Sequence, residues 1–244
     1  MKSFFLCLLC VWSCQLSAVE VEQITFLGKK YSYAKINLAE DDLRLFWKQK
    51  NTAYKFFDVL AQDLKKNNLE LIFAMNAGMY MEDFSPLGLF VQDSAQLRNL
   101  NLKSGYGNFY LKPNGVFFID QKNQPQIQNS TMFNFQKSQP KWATQSGPLL
   151  LENGKTHPAF QENSKNILIR NGVGIDDQNR IYLVISNDAV NFYEFSQLFQ
   201  KQLKCRNALY LDGSVSQIYS THLKRFDRYV GLGPMFGLVK KTNP

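Results

Sequence analysis

The stretch ALYLDGSVSQIY, residues 208–219, changes abruptly from apolar to polar, and the interpretation of the whole chain starts from it. Its first four residues are mostly apolar and predict a short buried strand. Asp212 and Gly213 follow, and glycine permits a sharp turn directly after a strand. The turn holds a carboxylate at a strand end, with the hydroxyls of Ser214 and Ser216 close by. Because Asp-Gly is also one of the commonest turn pairs, this stretch taken alone favours an ordinary turn.

Residues 1–18 have the pattern of a secretory signal peptide. Lys2 precedes an apolar run over residues 4–11, and the small Ser17 and Ala18 provide a cleavage zone. The run is too short to span a bilayer, so we expect no transmembrane segment in the mature chain. The pattern predicts cleavage after Ala18 and a periplasmic or secreted protein. A lipid anchor on Cys14 is the weaker alternative, since a lipoprotein signal fits the preceding residues poorly.

Residues 19–244 have the length of one sizeable domain. Cys205 is the single cysteine in this range, which excludes an internal disulfide and a disulfide-dense scaffold. The formal net charge is +8, but the basic residues are scattered and form no stripe. This distribution argues against nucleic acid as a partner. It is typical of a soluble surface with a basic bias, and it would also give a mild attraction for an anionic substrate or an anionic envelope glycopolymer.

Periodicity predicts two helices among about a dozen strands. The helices are expected over residues 53–64, with Thr52 as the cap, and 192–203; residues 40–51 are expected to form a loop. The main strands are expected over residues 21–27, 31–38, 71–75, 88–92, 108–111, 116–119, 142–151, 167–175, 180–186, 208–211 and 235–239. The balance predicts an α+β single domain built on a large mixed β-sheet that is flanked by a few helices.

Several strands end in polar residues that we expect to meet at one edge. Residues 180–211 read as strand, helix, strand, and a right-handed crossover would make the two strands parallel. Ser186 and Asp212 would then end at the same edge. A four-residue hairpin loop predicts that Arg170 lies opposite Ile185, near that edge. A carboxylate, a guanidinium and several hydroxyls together suit an anionic ligand better than a turn.

The chain resembles the phosphodiester glycosidase family, in particular its compact, exported bacterial branch. The matching pieces are AMNAGMY (74–80), QSGPLLLENGK (145–155), RNGVGID (170–176), the segment 184–203 that begins VIS, and ALYLDGSVSQIY (208–219). The resemblance implies a hydrolase that acts on a sugar whose anomeric carbon carries a phosphodiester. It also implies that these residues match the site of the family: Asn76, Ser146, Gly147, Arg170, Asp212, Gly213 and Ser216. Ser214 departs from the family, which commonly has a second glycine there.

We therefore expect Asp212 to act as nucleophile or general base and Arg170 to bind phosphate through its fork of donors. A phosphate leaving group is weakly basic, so strong acid assistance is less necessary than for an ordinary glycoside. Four further members of the predicted site are expected to provide hydrogen bonds to the substrate: Asn76, Ser146, Ser186 and Ser216. Gly147 and Gly213 are expected to let the backbone approach the substrate closely. Glu82 and Asp83 are weak candidates for a second carboxylate.

Two other functions fit the same pocket: a phosphodiesterase that cleaves P–O instead of C–O, and a non-catalytic protein that binds an envelope glycan. The sequence indicates no cofactor. It does not indicate a metal site either, because His157 and His222 lack ligand spacing and are expected to be ordinary surface residues.

Overall fold

The computed structural model describes residues 19–242, so the predicted signal peptide lies outside the described residues. The strands are β1 (Glu20–Phe26), β2 (Lys29–Ile36), β3 (Asp42–Phe46), β4 (Lys48–Gln49), β5 (Thr52–Ala53), β6 (Leu69–Asn76), β7 (Phe90–Gln92), β8 (Ala95–Arg98), β9 (Gly115–Asp120), β10 (Pro125–Asn129), β11 (Pro140–Ser146), β12 (Leu149–Glu152), β13 (Lys155–Thr156), β14 (Asn171–Asp176), β15 (Ile181–Ser186), β16 (Cys205–Asp212), β17 (Ile218–Ser220), β18 (Arg225–Phe226) and β19 (Met235–Lys241). The helices are α1 (Phe57–Lys65), α2 (Phe135–Ser138) and α3 (Phe192–Gln197). A 3₁₀ turn covers Asn108–Tyr110, and a π-helical turn, Leu198–Gln202, continues α3.

The strands form three larger sheets and one two-stranded ribbon. The seven-stranded sheet has the order β1-β2-β15-β14-β16-β12-β13. The two five-stranded sheets have the orders β10-β9-β11-β7-β8 and β18-β17-β6-β19-β3. The predicted α+β class is confirmed. The expectation of one large mixed sheet needs correction, because within residues 19–242 the strands divide among several sheets and every hydrogen-bonded pair is antiparallel.

β15 and β16 run in the same direction, as predicted, but they are not neighbours. β14 lies between them and is antiparallel to both. The hairpin register also differs by one residue, since Asn171, and not Arg170, lies opposite Ile185. The loop still has four residues, but it begins one residue later, after Asp176, whose Oδ1 accepts the N–H groups of Gln178 and Arg180.

Three local predictions fail where long-range contacts determine the structure. Residues 42–46, expected in a loop, form β3 because they pair with β19 and bury Leu43 and Leu45. The predicted strand 108–111 is a 3₁₀ turn, and β9 pairs instead with β10. The first helix begins at Phe57, since Thr52 belongs to β5 and pairs with Gln49.

One hydrophobic core lies between the three sheets. Val173 and Leu209 contribute from the seven-stranded sheet, and Phe117 and Phe236 from the two smaller ones. The rings of Phe117 and Phe236 meet edge to face with centroids 5.3 Å apart. This packing fixes the three sheets against each other.

The helical segment 192–203 covers the other face of the seven-stranded sheet. β14 carries the glycines of the NGVG sequence beneath it. A Cβ on Gly174 would lie 2.5 Å from Phe199 Cδ1, and one on Gly172 would lie 3.1 Å from Phe195 Cε1. Glycine at both positions therefore lets the aromatic side chains of the helix lie directly on the strand.

Candidate active site

Strand ends from all three sheets meet at one place. β6 ends at Asn76, β11 ends at Ser146 and β16 ends at Asp212. Ser146 Oγ donates to the carbonyl oxygen of Leu211 at 2.9 Å, which joins β11 to β16. The strand ends predicted from the sequence to converge are thus brought together, although they belong to different sheets.

Asn171 connects these strand ends, and the sequence interpretation missed it. Its Nδ2 donates to the backbone oxygen and to Oδ1 of Asn76, at 2.8 and 3.0 Å. Its Oδ1 accepts the backbone N–H of Asp212 at 2.9 Å. Asn76 Oδ1 in turn accepts the N–H of Gln217 at 3.1 Å. Asn76 and Asn171 have no exposed surface, so both amides serve to hold the site together.

The Asp212 carboxylate is buried, with 7% of the residue exposed. Its Oδ1 accepts the backbone N–H groups of Gly213 and Ser214 at 2.6 and 2.8 Å. Burial raises the pKa of Asp212, and the hydrogen bonds from the turn only partly oppose this shift. A carboxylate with a raised pKa at a strand end is a recognised feature of catalytic acids and bases.

Arg170 has no exposed surface, and its guanidinium binds acceptors of the protein itself. Nε donates to Val190 O at 2.9 Å, and one terminal nitrogen donates to the backbone oxygen and to Oδ1 of Asn166 at 2.8 and 3.0 Å. The other terminal nitrogen donates to the Tyr210 hydroxyl at 3.2 Å. The guanidinium carbon lies 3.8 Å from the ring centroid of Phe192. No ion pair within residues 19–242 includes Arg170.

The predicted direct contact between Arg170 and a phosphate therefore needs correction. Its surface is covered and four of the five donors of a guanidinium are used within the protein. Burial lowers the pKa of Arg170, while the neighbouring Tyr210 opposes that shift. Sequence analysis could not show that Arg170 is covered, because the Phe192 ring comes to lie over its guanidinium only when the chain folds.

Tyr210 connects Arg170 to the turn that carries Asp212. Its hydroxyl accepts from Arg170 and lies so close to Gly213 that a Cβ at that position would collide with it. Burial raises the pKa of Tyr210, and the nearby Asp212 charge adds to the shift. Gly213 is thus required for close approach, as predicted, but the group that approaches is the Tyr210 hydroxyl. At Gly147 a Cβ would likewise collide with Asn114.

The three predicted serines all lie at the site and bind protein atoms. Ser186 Oγ accepts the backbone N–H of Arg170 at 2.8 Å. Ser216 Oγ contacts the backbone oxygens of Asp212 and Ile169, at 2.9 and 3.1 Å. With Ser146 Oγ on Leu211, each hydroxyl has a structural partner in the described conformation.

A cavity of about 510 Å³ adjoins the Asp212 turn. Three predicted site residues, Ser186, Gly213 and Ser216, line it, as does Ser214. Arg225, which sequence analysis did not single out, also lines it. Arg170 and Asp212 are not among the residues that line it.

Other candidate groups are less favourably placed. Asp83 and Glu82 are exposed, and Asp83 Oδ1 accepts the N–H of Ser85 at 2.9 Å, as in an ordinary loop turn. His157 is buried, contrary to prediction, because Phe160 stacks on its ring at 4.7 Å. Its burial lowers the pKa of the imidazole. Within residues 19–242, no three or more side chains of His, Cys, Asp and Glu are grouped to hold a metal ion.

An α+β fold with a buried carboxylate at the meeting point of several strand ends, next to a cavity, has the features of a protein with a binding or active site for small molecules. The family model described as phosphodiester glycosidase matches residues 70–229, which include Asn76, Arg170, Asp212 and all of the cavity lining except Val230. The chain belongs to the phosphodiester glycosidase family, and the resemblance seen in the sequence is confirmed.

A curated relative and solved structures agree with this assignment. The chain is 35% identical over 185 residues to the uncharacterized protein YigE of Escherichia coli K12, covering 75% of this chain and 72% of YigE. Its fold is similar to the zebrafish N-acetylglucosamine-1-phosphodiester alpha-N-acetylglucosaminidase catalytic domain, auto-inhibited by its pro-peptide, with a TM-score of 0.64 and 13% identity over 91% of this chain and 82% of that one. A putative exported protein from Burkholderia pseudomallei gives a TM-score of 0.55 at 10% identity, covering 86% and 74% of the two chains.

Proposed function

We propose that the protein is an exported hydrolase that cleaves the glycosidic C–O bond of a sugar-1-phosphodiester. The observation that carries the proposal is the Asp212 carboxylate, buried at the end of β16 and held by the N–H groups of Gly213 and Ser214. Both of these residues also line the adjacent cavity. Asp212 therefore directly precedes two lining residues of the cavity in sequence.

The chemistry requires little more than this carboxylate. The leaving group is a phosphate monoester, which departs without strong protonation, so a second acid is not essential. In its ionised form Asp212 attacks the anomeric carbon or removes a proton from water that does so. The hydrogen bonds from the turn orient the carboxylate and support its charge in a buried position.

Arg170 contributes from behind the site in this proposal. Its guanidinium fixes the Tyr210 hydroxyl, which lies against Gly213 of the Asp212 turn. Asn76 acts similarly through Asn171, whose Oδ1 accepts from the Asp212 backbone. Arg170 and Asn76 are thus positioning residues, which hold the Asp212 turn in place through buried hydrogen bonds.

Export is supported by the signal-peptide pattern of residues 1–18 and by the description of the Burkholderia pseudomallei structure as a putative exported protein. No helix in the described part of the chain has the length and apolar character needed to cross a membrane. A mature chain that begins at Val19, found outside the cytoplasm by fractionation and mass spectrometry, is the expected result.

The test of the reaction compares two substitutions with the same local geometry. Asp212→Asn keeps the turn and should lose hydrolysis of a sugar-1-phosphodiester by several orders of magnitude. Asp120→Asn is the matched control, because Asp120 Oδ1 also accepts two backbone N–H groups in a turn, from Lys122 and Gln124. Near-normal turnover by the Asp212 variant would reject the carboxylate role.

Hydrolysis in ¹⁸O-labelled water identifies the bond that breaks. Label in the sugar is expected from C–O cleavage, whereas label in the phosphate would show a phosphodiesterase. Saturable binding of sugar phosphodiesters without turnover by the wild-type protein would instead favour a non-catalytic glycan-binding role.

A further inference from the structure

The cavity beside Asp212 combines one cation with several apolar side chains. Of the described residues that line it, only Arg225 is charged. Its apolar lining consists of Leu168, Ile169, Val215, Tyr229 and Val230.

Several of these apolar side chains are exposed to solvent although they lie together. Leu168, Tyr229 and Val230 are 37%, 75% and 42% exposed. Ile167 and Phe226, which are next to lining segments in sequence, are also exposed large hydrophobic residues. Apolar side chains that are exposed together at the mouth of a cavity mark a binding surface more often than chance exposure of a single one does.

Most polar side chains of the lining are already bonded within the protein. Gln217 uses its amide on Val230 O and the N–H of Tyr229, at 2.9 and 2.6 Å. Asn187 uses its amide on Ser32 and Arg225, and the Ser186 hydroxyl accepts from Arg170. These groups are therefore poorly available to the many hydroxyls of a saccharide.

Two polar groups of the lining are better available. The guanidinium of Arg225 is held by Asp227 and by Asn187 Oδ1, at 2.7 Å from one terminal nitrogen to each, and its side chain is 28% exposed. Each terminal nitrogen carries a second hydrogen. The Ser214 hydroxyl is exposed, and within residues 19–242 it has no hydrogen-bond partner.

We propose that this cavity binds the phosphate and alcohol parts of the substrate and that the alcohol is a long-chain alkyl or prenyl alcohol. Arg225 and the Ser214 hydroxyl bind the phosphate oxygens, and the chain lies on Leu168, Tyr229 and Val230. As a statement about the substrate, this inference rests on the proposed function; as a statement about binding, it stands on the cavity alone.

In the reaction this implies, water supplies a hydroxyl to the anomeric carbon and the bond between that carbon and the phosphate oxygen breaks. The phosphate oxygen keeps the electron pair, and the remaining proton of water passes to solvent. The products are a free sugar and a long-chain alkyl monophosphate, which leaves from the cavity.

The test measures binding by isothermal titration calorimetry with octyl phosphate, ethyl phosphate and octanol below their aggregation limits. Octyl phosphate should bind at least tenfold more tightly than ethyl phosphate, because part of its additional chain is removed from water. It should also bind more tightly than octanol, because octanol lacks the charge. Equal affinities for octyl and ethyl phosphate would overturn the proposal.

Two variants locate the binding. Leu168→Ser with Val230→Ser should remove most of the preference for octyl over ethyl phosphate, whereas Met132→Ser, a substitution of another exposed apolar residue, should not. Arg225→Gln combined with Asp227→Asn should weaken both phosphates and leave octanol unchanged, and it avoids leaving Asp227 without its cation. Identical effects of the Leu168/Val230 and Met132 substitutions would contradict the assignment of the alkyl chain to this cavity. Binding of octyl phosphate only in the presence of phosphatidylcholine vesicles would contradict it as well.

Turnover separates this inference from the proposed function. Ethyl and octyl esters of several sugar 1-phosphates provide the substrates, including N-acetylglucosamine 1-phosphate, the sugar named for the zebrafish enzyme. Binding of octyl phosphate at the cavity without hydrolysis of any ester would reject the proposed reaction and retain the site. Hydrolysis of both esters with equal kcat/KM would retain the reaction and reject the long-chain alcohol.

Discussion

The Oδ1 atom of Asn171 accepts a 2.9 Å hydrogen bond from the backbone N–H of Asp212. Because Asn171 also donates to Asn76 on another sheet, the position of the Asp212 backbone depends on two sheets at once. The carboxylate is thereby fixed by side-chain amides as well as by its own strand.

Asn171→Asp should therefore be costly. The new carboxylate keeps an acceptor for Asp212 but loses the donation to Asn76 and places a buried charge against its oxygens. We expect a loss of about 2–3 kcal/mol in the free energy of unfolding. Urea denaturation measures it, and the exposed Asn51→Asp is the control. Equal stability of the two variants would show that the amide bridge contributes nothing.

Gly213→Ala should be destabilising because its Cβ collides with the Tyr210 hydroxyl. Tyr210→Phe removes that oxygen, so the alanine substitution should cost less in the Tyr210→Phe background than in the wild type. A double-mutant cycle of unfolding free energies measures this coupling. Additive changes in the free energy of unfolding would mean that residue 213 and the Tyr210 hydroxyl are not in steric contact.

Arg170→Lys should lose about 2 kcal/mol of stability, since an ammonium group cannot reach all the acceptors that the guanidinium binds. Chemical denaturation checks this against Arg206→Lys, which changes an exposed arginine. Because Arg170 acts through Tyr210, Arg170→Lys should reduce turnover of a phosphodiester and of a neutral aryl glycoside of the same sugar by equal factors. A loss confined to the phosphodiester would restore the direct phosphate contact.

The raised pKa of Asp212 predicts that this carboxyl group makes the folded protein less stable as the pH rises. The pKa of Asp212 in the folded protein lies above its unfolded value of about 3.9. Asp212 therefore contributes to the free energy of unfolding while it is protonated, and this contribution is lost as the pH rises through the folded-state pKa. Asp212→Asn has no charge to bury, so it should raise Tm relative to the wild type at pH 8. The difference should shrink as pH falls below the pKa of Asp212. A Tm difference that is independent of pH would argue against the shift.

The thiol of Cys205 should be inert in the folded protein, because burial both covers it and raises its pKa. A chain that begins at Val19 carries this thiol alone, so reaction with a disulfide reagent at pH 8 reports it directly. We expect reaction only after addition of denaturant. Rapid reaction of the native protein would show that the start of β16, at Cys205, opens readily.

Sequence analysis located the strand ends of the site but not the arrangement that joins them. Asn76 and Asp212 were identified because apolar runs stop there, which is a local signal, whereas Ser146 was identified through the resemblance to the family. The division into three sheets and the bridge through Asn171 depend on contacts between residues far apart in sequence, such as β6 with β19. No local pattern contains that information.

For Arg170, the sequence predicted the position of the residue but not the contacts of its side chain. Its place near the edge of the seven-stranded sheet followed from the hairpin, within one residue of the observed register. Whether its guanidinium faces a ligand or the protein depends on Phe192 and Tyr210, which come from two other segments. An arginine in a strand has the same sequence signal in either case.

β19 lies between β6 and β3, and Met235 pairs with Asn76 at the end of β6. Since a ribosome makes residues 69–76 before residues 235–241, the strand that carries Asn76 is synthesised well before its partner β19. Pairing between segments so distant in sequence slows folding, and the strand end at Asn76 has this neighbour only after β19 has been made. The meeting point of the strand ends beside Asp212 therefore cannot be completed on a nascent chain that lacks residues 235–241.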